Sequence, residues 1–394
     1  MVARCRELAA VSDEPGRTTR AFGGPAMARA NALVGRWMAE AGMAVRVDAA
    51  LNLVGSLPGS DPEAGTLLLG SHLDTVRDAG AFDGPLGVLA AIAAVARLRA
   101  EEVTLPFGID VLGLSDEEGL RFGTAYLGSR AVAGTLDAAA LGVADADGVT
   151  VREALGGDAA AASRRGERLL GYLELHIEQG PVLEERDAPV AVVSAIAGAT
   201  RAEVRFEGRA GHAGTVPMAL RRDAAPALAE LVLAVEAEGL ARSGLVATVG
   251  RLAAQPGAPN VIPGAAVASL DVRHADDGER AAAVAALRSR ADAIAAARGL
   301  AVTWEERLAT PAVAMDAGLA ARLGAAVRAA GAPAVALPSG AGHDAVALAG
   351  LVPVAMLFVR CAGGVSHHPD ESVAVADVAV ALDVLDRCVR GLAT

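Results

Sequence analysis

The sequence predicts an α/β fold, in which helices cover both faces of a buried sheet, with a second unit inserted into it. Continuous apolar runs such as residues 66–71 and 169–177 are typical of strands that are buried on both faces. These runs alternate with apolar helical stretches such as residues 86–99. Between residues 199 and 308 the order changes to βαββαβ, which is typical of a ferredoxin-like unit. We therefore predict one domain over residues 1–198 and 309–394 and an inserted domain over residues 199–308.

The first 198 residues contain alternating helix and strand signals. A helix is predicted over residues 26–41, because apolar side chains recur on one helical face, namely Leu33, Val34, Trp37 and Met38. A second helix, residues 86–99, opens after Pro85. Strands are predicted at residues 44–47, 51–55, 66–71, 107–114 and 169–177. The Ala-rich stretch 138–162 is predicted to be a loop with short helices.

The inserted domain and the segment after it continue with the same kinds of signal. Within the insertion, strands are predicted at residues 201–207, 244–252, 265–274 and 301–306, and helices at residues 220–238 and 277–298. After the insertion, the α/β pattern resumes with helices at residues 316–330, 343–349 and 375–390 and strands at residues 334–337 and 352–359.

Composition excludes several classes of function. The 394 residues include 35 Lys plus Arg and 47 Asp plus Glu, which gives a net charge of −12. None of the basic residues is Lys, so a Schiff-base mechanism and a Lys-dependent phosphate loop are excluded. A negative chain without a basic cluster argues against nucleic acid and against a membrane surface as partners. The 3 Cys are far apart in the sequence, which predicts a reducing, cytoplasmic compartment.

Polar residues stand where the apolar strands end. They are two histidines and three carboxylates: His72, Asp74, Glu117, Glu118 and His176. Because open α/β sheets place their sites at the carboxyl ends of strands, we expect these side chains to converge. Imidazole and carboxylate are the ligands that a divalent metal such as zinc needs. A single His is more often a packed residue, and an acidic turn is more often solvated, so the grouping is what indicates a metal site.

Eight segments carry a resemblance to a known family. They are GSHLDTV (70–76), FDGPLGV (82–88), DEEGLRFG (116–123), ELHIEQGPVLE (174–184), GHAGTVPMALRRDA (211–224), PNVIPG (259–264), PSGAGHDA (338–345) and SHHPDES (366–372). With these segments the chain resembles the dinuclear metal-dependent amidohydrolases related to aminoacylases. Within that family it is similar to the branch of allantoate amidohydrolases and N-carbamoyl-L-amino acid hydrolases, because ELHIEQGP and SGAGHDA are specific to this branch.

The resemblance implies a metallopeptidase-like α/β/α catalytic domain with a mixed sheet, and a lid and dimerisation role for the insertion. The molecule would then be a homodimer assembled through the inserted domain. Each chain would bind two divalent metal ions, with zinc, manganese, cobalt and nickel all suited to such a site. His72 and His176 would bind one ion, Glu118 and His367 would bind the other, and Asp83 would bridge the two.

The resemblance also implies catalytic roles. Glu117 would be the general base and later the acid toward the leaving nitrogen. Asp74 would accept a hydrogen bond from His72 and so fix the tautomer of that imidazole. His212 would reach into the active site of the partner subunit and stabilise the developing oxyanion.

On the substrate side, Asn260 and Arg273 would hold a carboxylate, since a planar guanidinium suits that group. Gln179 would contact the ureido group, and Arg201 is a weaker candidate for substrate contact. His343 is expected to line the wall of the site, while the roles of His368 and Cys361 stay open.

The activity implied is the hydrolysis of a ureido C–N bond in a small carboxylated substrate. Allantoate ranks first, since segments such as GTAYLGSRAVAGT (123–135) resemble the allantoate amidohydrolases most. N-carbamoyl-L-amino acids and 3-ureidopropionate rank second. An aminoacylase or dipeptidase, and a non-catalytic binding protein on the same scaffold, are the weaker alternatives.

Overall fold

The computed structural model describes residues 1–393. The strands are β1 (Ala44–Val47), β2 (Leu53–Leu57), β3 (Thr66–His72), β4 (Gly108–Leu114), β5 (Leu169–Ile177), β6 (Val190–Ile196), β7 (Gly198–Glu207), β8 (Gly211–His212), β9 (Val246–Gln255), β10 (Val261–Ile262), β11 (Ala265–His274), β12 (Ala301–Thr310), β13 (Val313–Ala314), β14 (Ala336–Ser339) and β15 (Val354–Val359). The α-helices are α1 (Val2–Ala9), α2 (Pro25–Glu40), α3 (Pro85–Ala100), α4 (Leu127–Val132), α5 (Ala138–Leu141), α6 (Val151–Leu155), α7 (Val182–Glu185), α8 (Ala224–Ala241), α9 (Asp277–Arg298), α10 (Ala317–Ala329), α11 (Ala345–Leu348) and α12 (Val375–Gly391).

The chain forms two compact units. The first unit comprises Met1–Ser194, Met315–Leu337 and the residues from Ala341 onward, and the second comprises Ala195–Ala314 with Pro338–Gly340. The second unit is thus a few residues wider at each end than the insertion predicted at residues 199–308. The extra residues pair with each other where the chain enters and leaves the unit, since Ile196 lies opposite Val313 and Ala195 lies opposite Ala314.

The first unit is built on a mixed sheet whose strands follow the order β1-β2-β4-β3-β5-β15-β6. Its central strands β4, β3, β5 and β15 run parallel to one another. The flanking strands β2 and β6 pair antiparallel with β4 and β15. This arrangement confirms the mixed α/β sheet that was expected. These central strands contain apolar runs such as Leu67–Leu69 and are buried on both faces, which is typical of parallel strands.

Helix α3 and strand β5 together explain why Glu174 and His176 lie on the face of the sheet opposite α3. Helix α3 is apolar around most of its circumference and lies against β3, β4 and β5. Along β5, Leu173, Leu175 and Ile177 belong to the same hydrophobic core as α3. Because successive side chains on a strand point to opposite faces, Glu174 and His176 are directed away from that core.

The second unit contains an antiparallel sheet whose strands follow the order β12-β7-β11-β9. Helices α8 and α9 pack on one face of this sheet and share a hydrophobic core with it. The chain order of these elements is βαββαβ, and the strand order is that of a ferredoxin-like unit. Strands β12 and β9 lie at the edges of the sheet.

Four elements of the first unit, β6, α1, α4 and α7, were absent from the sequence-based prediction. Strand β6 has an apolar run comparable to the other buried strands. Helix α1 is only 8 residues long, and a helix of that length gives little periodic signal and depends on packing for stability. That packing comes from Cys5 and Leu8, which are buried in the core shared with α3. Among residues 1–393, no helix combines the length and apolar character needed to cross a membrane.

Candidate active site

The carboxyl ends of the central parallel strands bring the predicted metal ligands together. His72 ends β3 and pairs in register with Leu114, the last residue of β4, while His176 lies near the end of the neighbouring strand β5. One potential ligand atom from each of His72, Asp83 and His176 lies within 4.8 Å of the other two. The same holds for His72, Glu117 and Glu118, and for Asp83, Glu118 and His367.

Asp83 lies at the centre of these groups and directs its two oxygens to different histidines. Its Oδ1 is 3.1 Å from Nε2 of His176 and 3.7 Å from Nε2 of His72. Its Oδ2 is 3.2 Å from Nε2 of His367, which is in turn 3.5 Å from Oε1 of Glu118. The carboxylate is 4% exposed. One buried carboxylate therefore joins the pair His72 and His176 to the pair Glu118 and His367.

Backbone carbonyl groups orient the two buried imidazoles. Nδ1 of His176 is 2.9 Å from the carbonyl oxygen of Ile177, and Nδ1 of His72 is 3.0 Å from that of Asp74. A carbonyl oxygen can only accept, so both Nδ1 atoms carry a proton, and in the neutral imidazole each Nε2 keeps its lone pair on the side of Asp83. This is the tautomer that metal ligation by Nε2 requires.

Asp74 accepts a hydrogen bond from His72, but it does so with its backbone carbonyl and not with its carboxylate. Its Oδ1 lies 3.7 Å from Nδ1 of His72, too far for a hydrogen bond, and the backbone carbonyl of Asp74 accepts from the imidazole instead. The carboxylate accepts from the backbone N–H groups of Glu117 and Glu118, at 3.0 and 3.1 Å. These two bonds draw the carboxylate away from the imidazole, and they hold the turn that carries both Glu side chains.

Burial and nearby charges both shift the pKa values of the residues in the site. Burial would raise the pKa of Asp83, but the imidazoles of His176, His367 and His72 hold it well below its usual range. Burial would likewise lower the pKa of His72, but Asp83, Glu117 and Asp74 raise it well above its usual range. Burial raises the pKa of Glu117 well above its usual range, and the nearby Glu118 charge raises it further. The pocket as a whole stabilises positive charge.

Two buried atoms in the described part of the chain indicate what would complete the pocket. Oδ1 of Asp83 and Nε2 of His176 are inaccessible to solvent, and neither makes a hydrogen bond within residues 1–393. A buried polar atom without a partner is rare and needs an explanation. An acceptor oxygen and an imidazole lone pair that face each other are both electron donors, so a cation between them satisfies both. The donor set thus fits the divalent metals expected from the sequence.

Gln179 and His367 reach the pocket from loops with an unusual backbone. Both are non-glycine residues with positive φ, at 58° and 56°. Such conformations cost about 1–3 kcal/mol and persist where the surrounding structure enforces them. Nε2 of Gln179 donates to Oδ2 of Asp83 at 3.0 Å and to Oγ of Ser366 at 3.1 Å. Gln179 is therefore within reach of a molecule bound beside Asp83.

Two buried carboxylates beside the pocket were not predicted. Glu174 accepts a hydrogen bond from Oγ of Ser71 at 2.8 Å and forms a further potential ligand group with His176 and His343. Strand alternation could have indicated it, because residues two apart on β5 share a face. Glu371 accepts hydrogen bonds from the backbone N–H groups of Phe82 and Asp83. No sequence pattern indicates that contact, which joins residues far apart in the chain.

The remaining polar residues near the pocket differ in their surroundings. The ring of His343 is buried and lies 4.4 Å, centroid to centroid, from the ring of His176, which agrees with the predicted place in the site wall. The His368 side chain is 59% exposed, and its Nδ1 accepts from the backbone N–H of Asp370. Cys361 is a buried free thiol.

Two of the predicted substrate residues lie next to each other in the second unit. His212 pairs with Val261 in the short two-stranded sheet of β8 and β10. The carbonyl oxygen of Asn260 accepts from the backbone N–H of Ala213 at 2.9 Å. Nδ1 of His212 accepts from the backbone N–H of Gly214 at 3.0 Å, so its Nε2 carries the proton. His212 is therefore a hydrogen-bond donor through Nε2 while it is neutral.

The other two predicted substrate residues share one carboxylate in the same unit. Nε of Arg273 donates to Oδ1 of Asp271 at 2.7 Å, and Nε of Arg201 donates to Oδ2 of Asp271 at 2.9 Å. Nη1 of Arg273 donates to the carbonyl oxygen of Gly340 at 2.7 Å. These contacts orient the guanidinium plane of Arg273 and concentrate positive charge around Asp271.

Residues 68–391 match peptidase family M20/M25/M40. The chain belongs to this family. M20 enzymes are metal-dependent, which agrees with the donor set around Asp83 and confirms the family and the hydrolytic class expected from the sequence.

Several known proteins resemble this M20 enzyme over most of its length. A probable allantoate deiminase of Oryza sativa subsp. japonica is 42% identical, with 96% of this chain and 85% of that protein covered. An N-carbamoyl-L-amino acid amidohydrolase of Geobacillus stearothermophilus is 41% identical, with 99% of this chain and 97% of that protein covered. A hydantoinase/carbamoylase family amidase of Burkholderia multivorans superposes with a TM-score of 0.93 at 33% identity, with 98% and 95% covered.

Proposed function

We propose that this M20 enzyme hydrolyses a ureido C–N bond in a small carboxylated substrate, and that allantoate is the substrate. The observation that carries the proposal is the position of Asp83, whose two oxygens face two different sets of potential ligands. That arrangement suits a pair of divalent cations held by His72 and His176 on one side and by Glu118 and His367 on the other. Zinc is the first choice of metal, with manganese, cobalt and nickel as alternatives.

When bound, such cations polarise the scissile carbonyl and make water more acidic. The protein supplies the proton transfers. Burial raises the pKa of the Glu117 side chain well above its usual range, and the nearby Glu118 charge adds to this, so the ionised form is a stronger base than an exposed Glu. In the proposed reaction Glu117 takes a proton from the attacking water and delivers it to the leaving nitrogen. The C–N bond breaks, and the carbamate that results decomposes to ammonia and carbon dioxide.

Substrate recognition is assigned to residues of both units. Arg273 and Asn260 would hold the carboxylate, since the Arg273 guanidinium is planar and oriented by Asp271. Arg201, which shares Asp271, would add a second positive charge. Gln179 would contact the ureido group from its place beside Asp83. His212 of the partner subunit would stabilise the oxyanion.

Allantoate is preferred because the plant allantoate deiminases are among the most similar relatives, at 38–42% identity. N-carbamoyl-L-amino acids are the second candidate, since the carbamoyl amidohydrolase of Geobacillus stearothermophilus is 41% identical and is covered over 97% of its length. An aminoacylase or dipeptidase activity is weaker because the segments ELHIEQGP and SGAGHDA are specific to the allantoate and carbamoyl branch. A binding function without catalysis is weaker because the donor set and Glu117 are both present.

Assembly as a homodimer through the second unit is part of the proposal. Strand β9 is an edge strand of its sheet and exposes Val246 and Leu252. Helix α8 exposes Leu233 and Leu240, of which Leu240 is 84% exposed. Edge strands and clustered apolar side chains are features that proteins usually cover. A cytoplasmic location stays a prediction from the cysteine content.

The test is ammonia release from allantoate, from a series of N-carbamoyl-L-amino acids and from 3-ureidopropionate, each with zinc, manganese, cobalt and nickel. We expect allantoate to give the highest kcat/KM with at least one metal. A higher kcat/KM for an N-carbamoyl amino acid would show that allantoate is not the preferred substrate, but it would leave the proposed reaction class unchanged. Release of acetate from N-acetyl amino acids without ammonia release from any ureide would contradict the proposal.

A further inference from the structure

The carboxylate of Glu371 makes contacts that the reaction described above does not explain. It is 5% exposed, and its Oε1 accepts from the backbone N–H of Phe82 at 2.6 Å and from that of Asp83 at 3.1 Å. Its Oε2 is 3.4 Å from Oγ of Ser366, which donates to Oδ2 of Asp83 at 3.0 Å. Glu371 thus accepts from the backbone of Asp83 and lies beside Ser366, which donates to the Asp83 carboxylate.

The loop that carries Asp83 is shaped around this carboxylate. A Cβ atom added to Gly80 would lie 2.4 Å from Cβ and 2.5 Å from Cδ of Glu371. Carbon atoms that are not bonded to each other cannot come so close. Glu371 also stands on the segment that carries His367, and its backbone N–H donates to the carbonyl oxygen of His368 at 3.0 Å. One buried side chain therefore links the loop of the bridging ligand to the loop of His367.

We propose that Glu371 is a positioning residue that sets the affinity of the metal site formed by Asp83, Glu118 and His367. The inference rests on the proposed function, because it assumes that these residues hold a cation. The physical argument is rigidity. Asp83 and His367 lie on separate loops, and a cation binds tightly only when the ligand atoms are held in place beforehand. Glu371 supplies that constraint with hydrogen bonds and does not contribute a ligand atom.

The first variants separate the acceptor from the charge. Glu371→Ala removes the acceptor from Phe82 and Asp83, and zinc affinity measured by competition with a chromophoric chelator should fall by about 10–100-fold for one of the two ions. Glu371→Gln keeps an amide oxygen in the place of Oε1, and its NH2 group can donate to Oγ of Ser366. Its zinc affinity should therefore stay close to that of the wild-type protein.

A third variant disturbs the contact between Gly80 and Glu371 by changing the glycine and not the glutamate. Gly80→Ala leaves Glu371 intact but forces it away from the Asp83 loop, so its zinc affinity should fall in the same direction as in Glu371→Ala. If Glu371→Ala does not fold, Gly80→Ala tests the proposal in its place. Thermal unfolding of the metal-free proteins shows which of the variants fold.

Asp48→Ala is the matched control. Oδ1 of Asp48 also accepts from two backbone N–H groups, those of Ala50 and Asn52 at 2.8 and 2.9 Å, but in the turn between β1 and β2. Its zinc affinity should equal that of the wild-type protein even if its stability falls. Wild-type affinity in Gly80→Ala and in folded Glu371→Ala, or an equal loss in Asp48→Ala, would overturn the inference. Fewer than two zinc ions per wild-type chain would instead refute the proposed metal pair.

Discussion

Asp83 organises the site at the scale of single residues, because its two carboxylate oxygens serve different neighbours. Oδ1 faces His72 and His176, and Oδ2 faces His367. Each of the two buried imidazoles is oriented by a backbone carbonyl on its Nδ1 side. The Asp74 carboxylate contributes by holding the turn of Glu117 and Glu118 rather than an imidazole. The ligand set is thus positioned mainly by the backbone.

Glu117 and Glu118 are adjacent but have different roles in the proposed reaction, so they give a sharp test. Glu117→Gln should lower kcat by about 10²–10⁴-fold, because a general base is lost. It should keep the wild-type metal content, measured by elemental analysis. Glu118→Gln should lower the metal content itself. Near-normal turnover in Glu117→Gln would remove Glu117 from the role of base.

Arg273 tests recognition of the substrate carboxylate. Arg273→Lys keeps the charge but loses the planar pair of donors, and the ammonium cannot reproduce the two bonds to Asp271. The KM for a carboxylated ureide should rise by about 10–100-fold, since a hydrogen bond to a charged group contributes about 1.5–3 kcal/mol. The kcat should change little. The carboxamide analogue of the same ureide serves as the control, and an equal rise in KM for that analogue would contradict the assignment.

At the scale of elements, helix α3 packs closely against β5, and this packing positions the strand ends that carry His72 and His176. A Cβ atom on Gly87 of α3 would lie 2.1 Å from the carbonyl oxygen of Leu175 and 2.8 Å from Cβ of Ser71. Leu175 and Ser71 directly precede the two ligand histidines. The distance between helix and sheet therefore determines whether both imidazoles can reach Asp83.

Gly87→Ala should separate α3 from β5, and overpacking of this kind destabilises a protein by about 1–3 kcal/mol. The measurement is the thermal unfolding midpoint of the metal-free protein. Gly324→Ala in α10 is the matched control, because its Cβ would approach only the flexible end of Arg328, at 3.6 Å. That change should raise stability by about 0.5–1 kcal/mol through helix propensity. Equal midpoints for the two variants would show that α3 can move without penalty.

At the scale of the whole molecule, the residues assigned to the proposed reaction belong to two units. The potential metal ligands and Glu117 belong to the first unit, while His212, Asn260 and Arg273 belong to the second. A dimer in which each second unit serves the partner's site would join these parts.

Mixed dimers test this division. Chains with Glu117→Gln and chains with His212→Ala should each be nearly inactive as homodimers. In a one-to-one mixture after subunit exchange, half of the dimers contain one intact site of two, so activity should return to about a quarter of the wild-type value. The control is a chain that carries both Glu117→Gln and His212→Ala and is taken through the same subunit-exchange procedure. No recovery in the mixture would exclude a role for His212 in the partner's site.

The central parallel strands and the residues at their ends could be predicted from the amino-acid sequence, whereas the flanking strand β6 was missed. Long apolar runs such as those of β3 and β5 can only be buried, and parallel strands bring their last residues to one edge of the sheet. His72, His176, Glu117 and Glu118 could be found for this reason. The motif resemblance added Asp83 and His367, which lie on loops and carry no periodic signal.

Tertiary structure alone decided how those residues are held. The hydrogen bond between the Asp83 backbone and Glu371 joins residues 288 positions apart, and no local pattern encodes a contact at that distance. The carbonyl that orients His72, the positive φ of Gln179 and His367, and the two amides on Asp74 likewise depend on how loops meet. Strand positions follow from burial, which a sequence displays. Loop geometry follows from directional bonds between distant segments, which exist only once the chain has folded.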